Sequence, residues 1–192
     1  VKGATDPPIV SVVGFSGAGK TTLLEKLIHE LADRGYRVGS IKHDVHGFEM
    51  DKPGKDSWRH KHAGASTTVL SSPHQIGMVM DVDHDHDPDE LKKFFRNVDI
   101  ILTEGYKQGD KPKLEVFRHG VHEEPLCRND DRLIALISDT HVELGVPHFL
   151  LNDIKGIADF LISSFNLIPG VGHRERGHAG VPLNFEPCQM TG

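Results

Sequence analysis

The sequence predicts an α/β fold built on a mostly parallel sheet. Three observations carry this. Short apolar runs alternate along the chain with amphipathic stretches at helical spacing. The first apolar run, residues 9–13, is continuous, as in a strand buried on both faces. It leads through a glycine-rich turn into a helix and then a second strand, a βαβ unit whose two strands pair in parallel.

The elements follow in order. Residues 21–34 read as a helix, with Leu23, Leu24, Leu27, Ile28 and Leu31 on one face and Gly35 as the left-handed stop. Residues 36–41 form the second strand, and 42–53 a long polar loop. A short helix is expected over 54–64, then strands at 66–71 and 76–82 joined around Pro73. Asp87 has the features of an N-cap, with Pro88 at the first helical position and Glu90 at the third. Leu91, Phe94 and Phe95 should be the buried face of the helix that follows. Further strands are expected at 98–103, 114–118, 133–138 and 148–151. An amphipathic helix over 154–166 turns Ile157, Phe160, Leu161 and Phe165 inward. From Pro169 the composition shifts to Gly, His and Arg without periodicity. The expected organisation is one domain over 1–168 and a flexible C-terminal tail over 169–192, in which 181–185 could add a short edge strand.

Composition narrows the function classes. The chain has 192 residues and a formal net charge of −6. That balance argues against broad binding to nucleic acid or anionic membrane, though not against one local anion site. No apolar run approaches the roughly 20 residues needed to span a bilayer, and residues 1–8 lack a signal-peptide pattern. Cys127 and Cys188 belong to no CxxC pair, so a reducing cytoplasm is the expected compartment.

The turn after the first strand, GFSGAGKT at 14–21, fits GxxxxGK[ST] at every fixed position. Glycines let successive N–H groups converge on phosphate oxygens, and the following helix aims its positive end at the same anion. Ser16, Gly17, Ala18 and Gly19 should cradle phosphates. Lys20 should reach the β- and γ-phosphates, the Thr21 hydroxyl should bind Mg²⁺, and Thr22 should lie near the α-phosphate. The fold class is thereby sharpened to a three-layer P-loop NTPase. A metal partner is expected at the end of a neighbouring strand. Glu104, closing the apolar run before Gly105, would sit at the carboxyl edge, to hold Mg²⁺ or orient an attacking water. Asp99, at the other end of that strand, reads as structural.

The end of the second strand opens onto the same edge. It places Lys42, His43, His46, Asp51, Lys55 and Asp56 beside the phosphates, where cations offset charge and a carboxylate helps hold metal.

Four segments together resemble the molybdopterin-guanine dinucleotide biosynthesis protein B (MobB) family: GFSGAGKTTLL at 14–24, IKHDVHGFEMDKPGKDS at 41–57, DIILTEGYK at 99–107 and DRLIALISD at 131–139. The second is the specific one, since many P-loop proteins share the first. The resemblance covers about residues 9–168 and implies GTP binding with Mg²⁺, slow hydrolysis and a homodimer. It further implies service to the molybdenum cofactor guanylyltransferase, which attaches GMP to molybdopterin. By motif, residues 17–22, Lys42 and Glu104 would carry nucleotide or metal contacts, with His43, Asp51, Lys55 and Asp56 as helpers. Lys61 departs from the family, whose members often have Arg before the AGA triplet; Lys loses the bidentate fork, leaving a phosphate role there in doubt.

Base choice is weakly encoded. No NKxD element is present, and guanine rests on the resemblance. Asn152-Asp153 either reads the base or caps the closing helix. The chain has 14 histidines, and the run from Asp81 to Asp87 alternates acid and imidazole; without a fixed-spacing partner it reads as a solvated loop with at most adventitious metal binding. Two other functions compete: a metallochaperone GTPase loading nickel, suggested by those histidines, and a small-molecule P-loop kinase. No paired cysteines support the first, and no Arg-rich lid supports the second. No catalytic arginine stands out near the P-loop, which fits slow turnover.

Overall fold

The computed structural model describes residues 6–49 and 51–169. The expected tail, with its edge strand, His173, His178 and Cys188, lies outside the described residues apart from Pro169.

Strands β1 (Ile9–Val13), β2 (Val38–Lys42), β5 (Ile100–Glu104), β6 (Lys113–Phe117), β7 (Leu133–Ser138) and β8 (His148–Phe149) form one six-stranded sheet. Its order is β2-β5-β1-β6-β7-β8, and every pairing is parallel. Strands β3 (Thr67–Ser71) and β4 (Ile76–Met80) make a separate antiparallel hairpin. The helices are α1 (Lys20–Asp33), α2 (Asp56–His62), α3 (Pro88–Leu91) and α4 (Ile154–Ser164).

All five residues of β1 are buried, and its one polar side chain, Ser11, accepts the Thr103 hydroxyl at 3.0 Å. On one face, Val10, Val12, Ile100, Leu102, Leu114, Val116, Ala135 and Ile137 pack with α1 and α4 through Leu23, Leu27, Leu31, Ile157 and Leu161. Helix α1 stops as Gly35 enters the left-handed region at φ 88°. Gly35 and Tyr36 donate their N–H groups to Ala32 and Leu31 carbonyls, closing a Schellman turn. Asp87 caps α3 in a reciprocal capping box with Glu90.

One expectation fails at this point. Leu91, Phe94 and Phe95 do not share a buried helical face. Helix α3 lasts one turn and gives way to a 3₁₀ turn at Lys92–Phe94, leaving Phe94 exposed. The tighter 3₁₀ winding rotates successive side chains further, so adjacent aromatics no longer face the same way. Phe95, half-buried like Leu91, packs over the bare backbone of Gly39. A Cβ at Gly39 would lie 2.6 Å from its ring, so only glycine fits beneath it.

Candidate nucleotide-binding site

The order of the sheet places β1 between β5 and β6, with β2 beyond β5. Such a position, at the carboxyl ends of parallel strands, is where ligands of this architecture bind. The P-loop fills it. Gly14, Gly17 and Gly19 all have positive φ, at 138°, 78° and 102°. Gly19 is the N-cap of α1 and no side chain caps it, so the helix presents its first amides towards the loop's concave side.

Lys20 folds back over the loop, its Nζ donating to the Phe15 carbonyl at 2.9 Å. The Thr21 hydroxyl donates to Glu104, 2.9 and 3.0 Å from the two carboxylate oxygens. These groups come from segments 83 residues apart, joined by register: Glu104 lies opposite Val12 of β1 and Lys42 of β2. Lys42 is therefore carried to the site by the sheet itself. The Lys20 ammonium is pushed below its usual pKa, first by burial and then by Lys107 and Lys42, while Glu104 opposes the shift. Three lysines and one carboxylate thus share the carboxyl edge, an arrangement suited to a polyanion with a divalent cation.

Two further residues brace the loop, and neither was singled out from the sequence. Arg118, directly after β6, donates from Nε to the Ala18 carbonyl at 3.0 Å. An arginine therefore stands at the P-loop, with one donor engaged by the loop backbone. Its signal was available, because it ends a strand whose carboxyl end faces the ligand edge. His122 stacks on Phe15 with ring centroids 3.4 Å apart. The segment bearing His122 is anchored by Glu115, a fully buried carboxylate that accepts the N–H groups of Leu126 and Cys127. Burial raises the Glu115 pKa, and those N–H donors oppose the rise. Beside it the Cys127 thiol is pushed up to about 12, chiefly by burial, so it is an inert packing group.

The loop after β2 divides. His43 turns its Nε2 towards Asp85, 3.0 Å away, and stacks on Tyr106 at 4.2 Å. Asp51, Lys55 and Asp56 line a cleft of about 660 Å³ with His60 and β3, a lining that contains no P-loop residue. Lys61 is held by Asp81 at 2.6 Å, which makes it a tie between α2 and the end of β4. Asp99 binds Arg37 at the opposite edge of the sheet, in the structural role expected.

Asp153 caps α4 by accepting the Gly156 N–H at 3.1 Å. Asn152 instead lines a small cleft beside the P-loop, with Gly19, Thr22, Lys26, Arg118 and Leu151.

The model of the family described as Molybdopterin guanine dinucleotide synthesis protein B matches residues 9–139, which hold the P-loop, Lys42, Glu104 and Arg118. The chain belongs to this family. Among MobB relatives, the Molybdopterin-guanine dinucleotide biosynthesis adapter protein of Escherichia coli (strain K12) is 38% identical over 168 residues, covering 83% of this chain and 94% of that protein. The protein of the same name from Haemophilus influenzae (strain ATCC 51907 / DSM 11121 / KW20 / Rd) is 38% identical over 156 residues, covering 80% of this chain and 87% of its own length. A crystal structure of Bacillus subtilis MobB superposes with a TM-score of 0.68 at 29% identity, covering 85% of this chain and 99% of that one. The P-loop NTPase architecture described above is therefore the MobB fold, and the four sequence segments that resembled the family do belong to it.

Proposed function

We propose that this chain is a GTP-binding adapter of molybdopterin guanine dinucleotide biosynthesis, serving the guanylyltransferase that joins GMP to molybdopterin. The observation that carries the nucleotide reading is the meeting of Thr21 and Glu104 beside Lys20 at the mouth of the P-loop. A hydroxyl and a carboxylate are oxygen donors of the kind Mg²⁺ prefers, and these two converge at the mouth of the P-loop, where together they would hold the ion. Bound there, Mg²⁺ would neutralise charge on the terminal phosphates. Ser16 to Gly19 supply backbone N–H groups, Lys20 and Lys42 neutralise phosphate oxygens, and Thr22 lies by the α-phosphate. Asp51, Lys55 and Asp56 line the separate cleft beside β3 and are given no phosphate contact. The base is assigned to the small cleft of Lys26, Arg118, Leu151 and Asn152, because it abuts Thr22 and Gly19.

Glu104→Gln tests the metal role. GTP affinity should stay within about threefold, while Mg²⁺-dependent GDP release should fall roughly 10–100-fold, the usual cost of losing a metal-supporting carboxylate. An unchanged rate would assign the metal to another carboxylate. Preference for ATP, with phosphate transfer to a metabolite pool, would replace the adapter reading by a kinase.

The homodimer is assigned to one face of the β3–β4 hairpin. Val69 and Met78 lie opposite each other in register, and Val69, Ile76, Met78 and Met80 are all exposed. A lone two-stranded ribbon with an apolar face is marginal in water and gains most from a second copy. Met78→Glu should convert a dimer to a monomer in sedimentation; a dimer that persists would place the interface elsewhere.

A further inference from the structure

We propose that His84, His86 and Glu90 form a binding site for one divalent transition-metal ion of the zinc, nickel or cobalt type. One ligand atom from each of the three lies within 4.8 Å of those of the other two. The two imidazoles and one carboxylate are a donor set that such ions favour over Mg²⁺.

The stronger argument is how each ligand is held. The His84 ring donates from Nδ1 to Asp83 at 2.7 Å and from Nε2 to Glu90 at 3.0 Å, so Nε2 already points at Glu90 and would give up its proton when a metal ion takes that place. The His86 Nδ1 donates to the His84 carbonyl at 3.1 Å, leaving its Nε2 as the metal-binding nitrogen. Glu90 uses Oε2 to accept the Asp87 N–H, so Oε1 is turned to the histidines. Metal-ligating histidines are oriented in this way, by an oxygen accepting from the other ring nitrogen. Asp83-His84 in particular has the carboxylate–histidine form. The two rings stack 4.0 Å apart, which holds them side by side.

The run has no fixed-spacing partner in the sequence; the structure supplies one in Glu90, which also closes the capping box with Asp87. It serves both roles, one carboxylate oxygen for each. The site belongs to the loop that touches the nucleotide edge: Asp85 faces His43, and the Tyr106 hydroxyl donates to the His86 carbonyl at 2.9 Å. The assignment is independent of nucleotide identity.

The test uses the full chain titrated calorimetrically with Zn²⁺ and Ni²⁺ alone, with Co²⁺ absorption as a coordination readout. One equivalent should bind, with visible Co²⁺ bands. His86→Ala and Glu90→Gln should each weaken binding about 10-fold or more. Gln at 90 can still accept the Asp87 N–H, so the α3 cap, and with it the melting temperature, should be kept. The double substitution His173→Ala and His178→Ala should leave affinity unchanged. Absence of binding, indifference to the substitutions at 86 and 90, or loss on substituting 173 and 178 would each overturn the assignment.

Discussion

Lys20→Ala should remove triphosphate binding and leave the chain folded. The Lys20 ammonium makes a single bond to the Phe15 carbonyl and sits half-buried among Lys42, Lys107 and Glu104. Its burial lowers its own pKa, so the site holds a cation at some cost until an anion arrives. Two charge-assisted contacts to phosphates would be lost on truncation, at about 1.5–3 kcal/mol each. Affinity for GTP should therefore drop at least about 100-fold, which corresponds to about 2.7 kcal/mol. Stability should hardly change, because the cost of a half-buried cation disappears along with its one hydrogen bond. Equilibrium dialysis with labelled GTP and urea denaturation give the two readouts. Unchanged affinity would sink the nucleotide assignment, and a large fall in the denaturation midpoint would make the lysine structural.

Gly14→Ala should do the opposite and damage the fold first. Gly14 has φ 138°, and a Cβ there would lie 2.3 Å from the Val116 carbonyl oxygen. That oxygen belongs to the backbone of β6, which pairs with β1 and β7 in the middle of the sheet, and it cannot swing aside as a side-chain tip would. Relief requires parting the strands or displacing the P-loop. The unfavourable dihedral adds about 1–3 kcal/mol. A total loss of about 3–5 kcal/mol places the variant among severely destabilising substitutions. The urea midpoint should fall sharply and GTP binding should vanish with it. A variant as stable as the parent would mean that β1 and β6 do not approach as closely as described.

Much of the fold is legible because the central strands are buried on both faces, so β1, β5 and β7 appear as mostly apolar runs with few polar residues. The P-loop is legible for a different reason: its glycines and lysine are each required by local backbone geometry and charge. Glu104 lay within reach because a carboxylate ending such a run must project from the carboxyl edge. Other parts depend on long-range placement. Arg118 reaches Ala18 across 100 residues, and no local pattern encodes that pairing. His122 looks like any loop histidine until Glu115 anchors its segment against β6. The Phe94 expectation failed because a 3₁₀ turn and an α-helix share the same short-range apolar spacing. Asn152 and Asp153 could not be told apart in the sequence, and only the observed cap separates them.

The parallel sheet also sorts the molecule's charge by direction. With every strand of the six pointing the same way, all carboxyl ends collect on one side. There Lys42 and Lys107 stand close enough to help lower the Lys20 pKa, whereas Arg37 on the far side is neutralised by Asp99. A chain of net charge −6 therefore carries a positive pole. An approaching polyanion is repelled by most of the surface and drawn to one spot, so capture should be fastest in dilute salt and slow as ions screen the pole.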